Sequence, residues 1–274
     1  MTDTIERLSA SMLLTAEMCG ELFRRQYIEK IRMPRKSVLI IGSSVHRSRG
    51  HSLGEKLKTG ELPTPEEIDD MSATFTTAEI EGGEIVCDEG ESVDDFNGLV
   101  YGRSHRLSRC DYEQLQPGID PEMVEQKVVI DVDGLPPISA ICDVSDKDNA
   151  IHEFKTGGPK SRVTETDAHR SEQITVYALA QAIGKKLGEV PVTAYYEKVR
   201  DMKRGATAAT VVTSRDSKDM QAIINRFATL SLAIERGVFL PASRQFSWKC
   251  DPKYCDHYED CSYVTNPVTV GWGG

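Results

Sequence analysis

Residues 150–157 read AIHEFKTG, a short β-rich run in which an acid, a phenylalanine and a base follow one another shortly before a glycine. Such a run predicts a β-strand. Because side chains two residues apart on a strand face the same side, Glu153 and Lys155 project together and Phe154 faces the opposite surface. Charged residues on one side of an otherwise apolar strand suit either an exposed sheet surface or a metal site with a neighbouring lysine.

The preceding run, ISAICDVS at 138–145, predicts a second strand, and DKDN at 146–149 predicts the turn between the two. A hairpin that closes near residues 147–149 places Asp143 opposite or nearly opposite Glu153, with Cβ atoms about 5 Å apart. Two carboxylates at that separation repel each other unless a cation lies between them, and such a pair suits Mg²⁺. Beside the ion, Lys155 would orient or deprotonate an attacking water or stabilise charge on a phosphate. Taken alone, the pattern D…E-x-K is more often explained by surface ion pairs.

Three further features favour a functional site over surface pairs. The glycines that follow Lys155 free the backbone for close approach by a polyanion. Gln173 and Tyr177 lie four residues apart in a helix predicted over residues 164–187, so the two side chains share one helix face. Upstream, the stretch GSSVH ends at His46, whose imidazole is a possible metal ligand.

Taken in chain order, these motifs resemble the PD-(D/E)XK nuclease superfamily, in particular its RecB-like exonuclease branch, which includes the CRISPR-adaptation exonucleases and the AddB nuclease domain. The motifs are G-x-x-x-H at 42–46, Glu125 on the first core strand, D…E-x-K at 143 and 153–155, and Q-x-x-x-Y at 173–177. The resemblance covers nearly the whole chain. It implies an α/β, restriction-endonuclease-like fold: a mixed central sheet flanked by helices, with a helical N-terminal part and a cysteine-rich C-terminal tail.

The resemblance also implies roles for individual residues. The ligands of Mg²⁺ or Mn²⁺ would be His46, Asp143, Glu153 and the main-chain carbonyl of Phe154, and the catalytic lysine would be Lys155. Gln173 and Tyr177 would assist at the active site and contact DNA. In one departure from the family pattern, Cys142 precedes Asp143 where the family more often has glycine or another small residue.

Three cysteines cluster near the C-terminus as C-x4-C-x5-C, at Cys250, Cys255 and Cys261. Such spacing outside a disulfide framework predicts a metal site, although three thiolates are one short of the usual four. RecB-like iron–sulfur nucleases hold a 4Fe–4S cluster with one N-terminal and three C-terminal cysteines, which implies Cys19 as the fourth ligand here. Their usual tail spacing is C-x2-C-x5-C, so the longer first gap keeps Zn²⁺ as an alternative, and free cysteines are a further one.

The composition limits the classes of protein to which this chain can belong. The chain has 274 residues, 39% hydrophobic and 28% charged, which is typical of a globular protein. It has neither a run of about 20 apolar residues nor a basic leader, so we expect a soluble protein in the cytoplasm of a bacterial, archaeal or phage-infected cell. The net charge of -10 argues at first against nucleic acid. However, residues 61–100 carry 13 acids and no Lys or Arg, which leaves 30 acidic against 33 basic residues elsewhere and permits a basic groove.

We expect one nuclease domain over residues 1–274. Residues 1–100 form a helical N-terminal part with an acidic insertion at 61–100, whose section 81–100 is predicted as loop. Residues 120–240 form the catalytic αβ core in the order β-β-β-α-β-β-α, and residues 245–265 hold the cysteine cluster that closes onto Cys19.

These observations favour a metal-dependent deoxyribonuclease, an exonuclease rather than an endonuclease, that acts on DNA ends or single strands. Its setting would be recombination, repair or CRISPR-type DNA processing, with a recombination or CRISPR-adaptation protein as a partner. Basic residues just past the catalytic strand, Lys160, Arg162 and Arg170, would track DNA phosphates together with Tyr177. The main alternative is a non-catalytic DNA-binding or adaptor subunit of a recombination complex. A weaker one is a hydrolase of another phosphodiester.

Overall fold

The structure is a computed structural model that describes residues 5–184, 191–243, 250–252 and 254–265. The helices are α1 (Ala10–Met18), α2 (Gly20–Phe23), α3 (Ser37–Thr59), α4 (Pro65–Glu81), α5 (Val93–Gln114), α6 (Glu165–His169), α7 (Glu172–Gly184), α8 (Ser217–Arg236) and α9 (Ser262–Thr265). The strands are β1 (Leu8–Ser9), β2 (Pro121–Ile130), β3 (Ile138–Asp146), β4 (Ile151–Gly157), β5 (Val192–Asp201) and β6 (Ala206–Arg215). None of the helices in the described part of the chain combines the length and apolar content that a membrane span needs.

The chain divides into two compact units. One consists of Met1–Met33, Asp131–Ile138 and Ile224–Gly274, and the other of Pro34–Ile130 and Ser139–Ile223. The second unit holds every residue of the predicted D…E-x-K and Q-x-x-x-Y motifs. The first unit holds Cys19 and the C-terminal cysteines. A single nuclease domain over the whole chain stays a prediction.

A mixed sheet forms the centre of the second unit, as predicted. β3 pairs with β4 antiparallel, β4 with β5 parallel and β5 with β6 antiparallel, while β2 pairs with β3. The β3–β4 hairpin turns where the sequence predicted, and Asp146 N–H donates to the carbonyl of Ala150 at 3.0 Å. Val144 lies opposite His152, and one further step along that register places Asp143 opposite Glu153.

The two faces of β4 have different neighbours. Phe154 is fully buried and packs with Val199 of β5 against α3 and α5; the other buried members of this core are Ile40, Ile41, Val45, Phe96, Val100, Leu107 and Cys110. Glu153 and Lys155 lie on the opposite face, where α7 packs on β4. The predicted division of the strand into a core side and a charged side is therefore present.

Several predicted boundaries require correction. Thr64 caps α4 in a capping box with Glu67, as its sequence suggests, but residues 93–100 are helical rather than loop. A second capping box, between Ser92 and Asp95, starts α5, and acid-rich residues in a first helical turn resemble those of a loop. The apolar opening at 37–41 already belongs to α3. The helix predicted at 164–187 is two helices, α6 and α7, and residues 185–187 lie outside the described part.

Carboxylates of the acidic segment pair with basic residues on neighbouring helices and just before α3. On α4, Glu79 pairs with Arg35 and Arg47, and Asp69 pairs with His105 and Arg109. Glu79 and Asp69 are therefore ion-paired within the fold rather than only solvated.

In the first unit, residues 19–23 pack closely against residues 239–242. Gly20 N–H donates to the carbonyl of Leu240 at 2.6 Å, and a Cβ at Gly20 would lie 2.6 Å from the Leu240 nitrogen. A side chain cannot fit at that distance without displacing backbone, so only glycine permits the contact.

We therefore expect Gly20→Ala to lower the free energy of unfolding by about 1–3 kcal/mol, because backbone must shift to admit the methyl group. The matched control is Gly98→Ala in the interior of α5, where an added Cβ meets nothing within 4 Å. That change should stabilise the protein by about 0.5–1 kcal/mol, since alanine is the better helix former. Urea denaturation measures both, and equal effects would refute the close approach at Gly20.

Candidate active site

The predicted carboxylates and lysine meet at the β3–β4 hairpin. Asp143 Oδ2 accepts a hydrogen bond from the Phe154 amide at 3.0 Å, which ties the two strands together beside the charged face. Glu153 is fully buried, and the Lys155 ammonium forms an ion pair with Glu153 Oε1. The three side chains named by the D…E-x-K pattern thus form one cluster.

Glu153 is the group in this cluster whose charge is least well compensated. Neither of its buried carboxylate oxygens has a hydrogen-bond partner of good geometry within the described residues, although Lys155 contacts Oε1 as an ion pair. Burial raises the pKa of Glu153 to about 7, Asp143 adds repulsion, and Lys155 opposes the shift. A buried carboxyl without donors is an expensive arrangement unless a cation binds it, so these oxygens fit a metal ligand.

His46 of α3 lies beside the same pair of strands. Its Nδ1 is 3.9 Å from Asp143 Oδ2, and its ring stands edge-on to Phe154 with centroids 5.0 Å apart. Burial lowers the pKa of His46, Asp143 opposes this, and the charges of Lys155 and Arg49 lower it further. The imidazole is therefore held neutral, which is the form that binds metals.

Gln173 and Tyr177 of α7 complete the face around Lys155. The ammonium of Lys155 donates to Gln173 Oε1 at 2.5 Å, and Gln173 is hydrogen-bonded in turn to Tyr177. Burial lowers the pKa of Lys155, but the charge of Glu153 and its contact with the ammonium raise it by more. The pKa of Tyr177 is raised by burial and by the charges of Glu153 and Asp143. At neutral pH the site therefore holds a protonated lysine and a neutral phenol.

Glu125 brings a further carboxyl to this region from β2. Its backbone is in the left-handed region at φ 46, and its carboxylate lies over Gly50 of α3, where a Cβ would be 2.4 Å from Glu125 Oε1. Burial and the charge of Asp143 raise the pKa of Glu125. The Glu125 carboxylate therefore packs directly against the backbone of α3.

A buried network around Arg49, on the core side of β4, escaped the sequence-based prediction. The guanidinium of Arg49 pairs with Asp111 and Glu197 and lies 4.5 Å from the centroid of the Phe154 ring. Glu197 in turn contacts His152, Nδ1 to Oε1, at 3.0 Å. One signal was available, because Arg49 follows His46 by three residues and so shares its helix face.

Sequence comparison agrees with this geometry. A sequence model of the PD-(D/E)XK nuclease superfamily matches residues 7–262. The chain belongs to the PD-(D/E)XK nuclease superfamily. The crystal structure named "Putative exonuclease" from Eubacterium rectale is similar in fold, with a TM-score of 0.54, 10% sequence identity and coverage of 97% of this chain and 91% of that one. The structure of SSO0001 has 13% identity, covering 92% of this chain and 94% of its own, but its TM-score of 0.34 supports no argument. No curated protein sequence matches.

PD-(D/E)XK nucleases generally use divalent metals such as Mg²⁺. The orphaned oxygens of Glu153, next to Asp143 and a neutral His46, fit that chemistry. Within the described ranges, however, no three His, Cys, Asp or Glu side chains already stand at metal-binding distances from a common point.

The four cysteines predicted to bind a metal cluster in this PD-(D/E)XK protein are Cys19, Cys250, Cys255 and Cys261. All seven cysteines lie in the described part and are thiols rather than disulfides. Cys19 Sγ accepts from the amides of Leu22 and Ala242 at 3.5 and 3.3 Å. Burial raises the pKa of Cys255, and the nearby charges of Cys19, Cys261 and Cys250 raise it further. The other three predicted ligands thus act electrostatically on Cys255, but no three of these thiols in the described part of the chain stand at metal-binding distances from a common point.

The three basic residues predicted to contact DNA are all exposed. Lys160 and Arg162 lie in the loop after β4, and Arg170 caps the C-terminus of α6.

The raised pKa of Glu153 predicts a pH dependence of stability. The folded protein holds the Glu153 proton up to about pH 7, whereas an unfolded glutamate loses it near its ordinary pKa of 4.5. Metal-free protein should therefore lose on the order of 3 kcal/mol of stability as pH rises from about 4.5 to 7. Glu153→Gln removes this titration, so the difference in melting temperature between variant and wild type should widen with pH. Parallel pH profiles for the two proteins would contradict the buried, raised carboxyl.

Proposed function

We propose that the protein is a metal-dependent deoxyribonuclease of the RecB-like type, an exonuclease acting on DNA ends or single strands. One observation carries the proposal: the buried Glu153 oxygens lack hydrogen-bond donors and lie beside Asp143 and a protonated Lys155. Such a cluster is electrostatically costly in a protein without a ligand, and functional sites are where such costs are found.

The proposed metal ligands are His46, Asp143, Glu153 and the main-chain carbonyl of Phe154, with Mg²⁺ or Mn²⁺ as the ion. A divalent ion there supplies Lewis acidity to a phosphodiester and acidifies water. The protein's own contribution is to hold the two carboxyls in position on neighbouring strands, with Glu153 fully buried. Asp143 is fixed by the Phe154 amide, and His46 is kept neutral by burial.

Lys155 acts as a cation rather than as a base, because its raised pKa keeps the ammonium protonated. From its position against Glu153 and Gln173 it can donate to a phosphate oxygen or orient a water, and it cannot accept a proton. Gln173 fixes the direction of the ammonium, and the neutral Tyr177 phenol supports Gln173. Of the roles open to Lys155, orienting a water and stabilising charge on a phosphate are therefore favoured over deprotonating the water.

Three parts of the proposal rest on the RecB-like motif set. They are exonuclease action, DNA as the substrate, and a recombination, repair or CRISPR-type setting with a partner protein. The exposed Lys160, Arg162 and Arg170 support a polyanionic substrate. The complete D…E-x-K set favours catalysis over the alternative of a non-catalytic adaptor subunit. We also propose that both compact units belong to a single nuclease domain.

We expect Mg²⁺ or Mn²⁺ to support degradation of linear DNA by the wild type, while covalently closed circular DNA stays intact. Lys155→Ala should lower the rate by about 100-fold or more, because it removes a cation that contacts the buried carboxylate of Glu153. Lys147→Ala is the matched control. Lys147 lies in the turn at the other end of the hairpin, and its exposed ammonium pairs with Asp120. Equal rates for wild type and Lys155→Ala would sink the assignment, and cleavage of closed circles would replace exonuclease with endonuclease. Metal and DNA binding without turnover would favour the adaptor.

We further propose that Cys19, Cys250, Cys255 and Cys261 hold a 4Fe–4S cluster, with Zn²⁺ as the alternative. The support is the electrostatic interaction of Cys255 with the other three thiols and the two backbone amides that donate to Cys19 Sγ, since such hydrogen bonds to sulfur are typical of iron–sulfur sites. A cluster there would join residues at the two ends of the chain and contribute to folding.

Purification without oxygen should therefore give a brown protein with about four irons per chain. Cys255→Ser should lose both colour and thermal stability, whereas Cys87→Ser, remote in sequence from the four, should keep them. Metal analysis and visible absorption provide the measurement. A colourless protein with stoichiometric zinc would exclude the iron–sulfur version.

A further inference from the structure

The charged face of β4 continues onto β5. The two strands are parallel, with Lys155 opposite Lys198 and Gly157 opposite Arg200. Cross-strand partners and alternate residues share a sheet face, so Lys198 and Arg200 project on the side of Glu153 and Lys155. The intervening Glu197 and Val199 turn to the other side, where they contact Arg49 and the apolar core.

Gly157 provides the space that Lys198 occupies. A Cβ at position 157 would lie 3.0 Å from Lys198 Cε and 2.8 Å from Ser161 Oγ. Lys198 forms no ion pair among the described residues, and the nearest opposing charge, Asp167, already accepts two hydrogen bonds from its capping partner Thr164. Burial lowers the pKa of Lys198, Asp167 opposes this, and the charges of Arg200 and Lys155 lower it further. Three cations thus crowd one strip of the sheet.

Arg200 has hydrogen-bonding capacity that the protein leaves unused. Its Nη2 makes only a long contact of 3.4 Å with Thr207 Oγ1. Its Nε is buried and has no hydrogen-bond acceptor within the described residues. A guanidinium prefers planar, bidentate contact with an oxyanion, and a buried donor without an acceptor is unfavourable. Together with the crowded lysines, this points to an anionic ligand.

We propose that Lys198 and Arg200 form a phosphate-binding subsite for the DNA backbone, next to Lys155 on the same sheet face. The inference rests on the proposed nuclease function and extends it, because neither residue belongs to the D…E-x-K or Q-x-x-x-Y motifs. Neighbouring strands lie about 4.8 Å apart and alternate residues about 6.6 Å apart, so the three cations form a compact, right-angled patch that the backbone of a single DNA strand can contact. The contacts involve phosphate alone and are independent of base sequence.

The test is binding of a fluorescent single-stranded oligonucleotide to the full-length protein over a series of salt concentrations. Ca²⁺ replaces Mg²⁺, and gel electrophoresis checks that the oligonucleotide stays intact. Lys198→Gln and Arg200→Gln should each weaken binding about tenfold and lower the slope of log affinity against log salt by about 0.7, whatever the base sequence. Lys198→Arg should keep both values, and so should the control Lys147→Gln at the opposite end of the hairpin.

Unchanged affinity and salt slope in both glutamine variants would overturn the subsite, as would an equal loss in Lys147→Gln or a wild type that binds no DNA. Cleavage of linear DNA by the wild type is measured in parallel. If the variants lose affinity but the wild type never cleaves, the subsite stands and the nuclease function fails. If the wild type cleaves and the variants bind normally, only the subsite fails. Melting temperatures close to wild type show that a loss of binding is not a loss of folding.

Discussion

The buried guanidinium of Arg49 is the interaction on which the catalytic unit depends most. This one side chain, 2% exposed, connects α3 with Asp111 of α5 and Glu197 of β5, and it lies over the Phe154 ring of β4. A buried ion pair adds little net stability compared with apolar packing, but removing one partner leaves an uncompensated charge, which is strongly destabilising. The network therefore enforces one particular arrangement of two helices and two strands.

That arrangement determines the chemistry on the opposite face of β4. Phe154 is held on the core side by Arg49 and His46, while its amide is bonded to Asp143. Since side chains alternate along a strand, fixing Phe154 also fixes Glu153 and Lys155 on the other face. A rigid strand can hold a carboxyl buried and without donors, whereas a mobile loop would turn it toward water. Packing on the far side of the same strand thus offsets the unfavourable free energy of burying Glu153.

The local parts of this design could be predicted from the sequence, and the parts that depend on distant contacts could not. The hairpin followed from DKDN between two β-rich runs, and the helix face that Gln173 and Tyr177 share followed from their spacing. The break between α6 and α7 did not, because Arg215 causes it from far along the chain. Its buried guanidinium donates hydrogen bonds to the carbonyls of Ala168, His169 and Ser171, where one helix ends and the next begins. Arg49 was missed for a related reason: an arginine within a helix ordinarily indicates a solvent-facing position.

Net charge illustrates the same limit of sequence reasoning. A net charge of -10 argues against DNA binding only if the charges are spread evenly along the chain, and they are not. Carboxylates of α4 neutralise Arg47 of α3, Arg109 of α5 and Arg35, which precedes α3. On the face shared by β4 and β5, by contrast, Lys198 and Arg200 have no ion-pair partner in the described part of the chain. A polyanion responds to the local field, which close ion pairs cancel and unpaired cations do not. The position of the unpaired cations, rather than the total charge, therefore decides which surface can hold a DNA backbone.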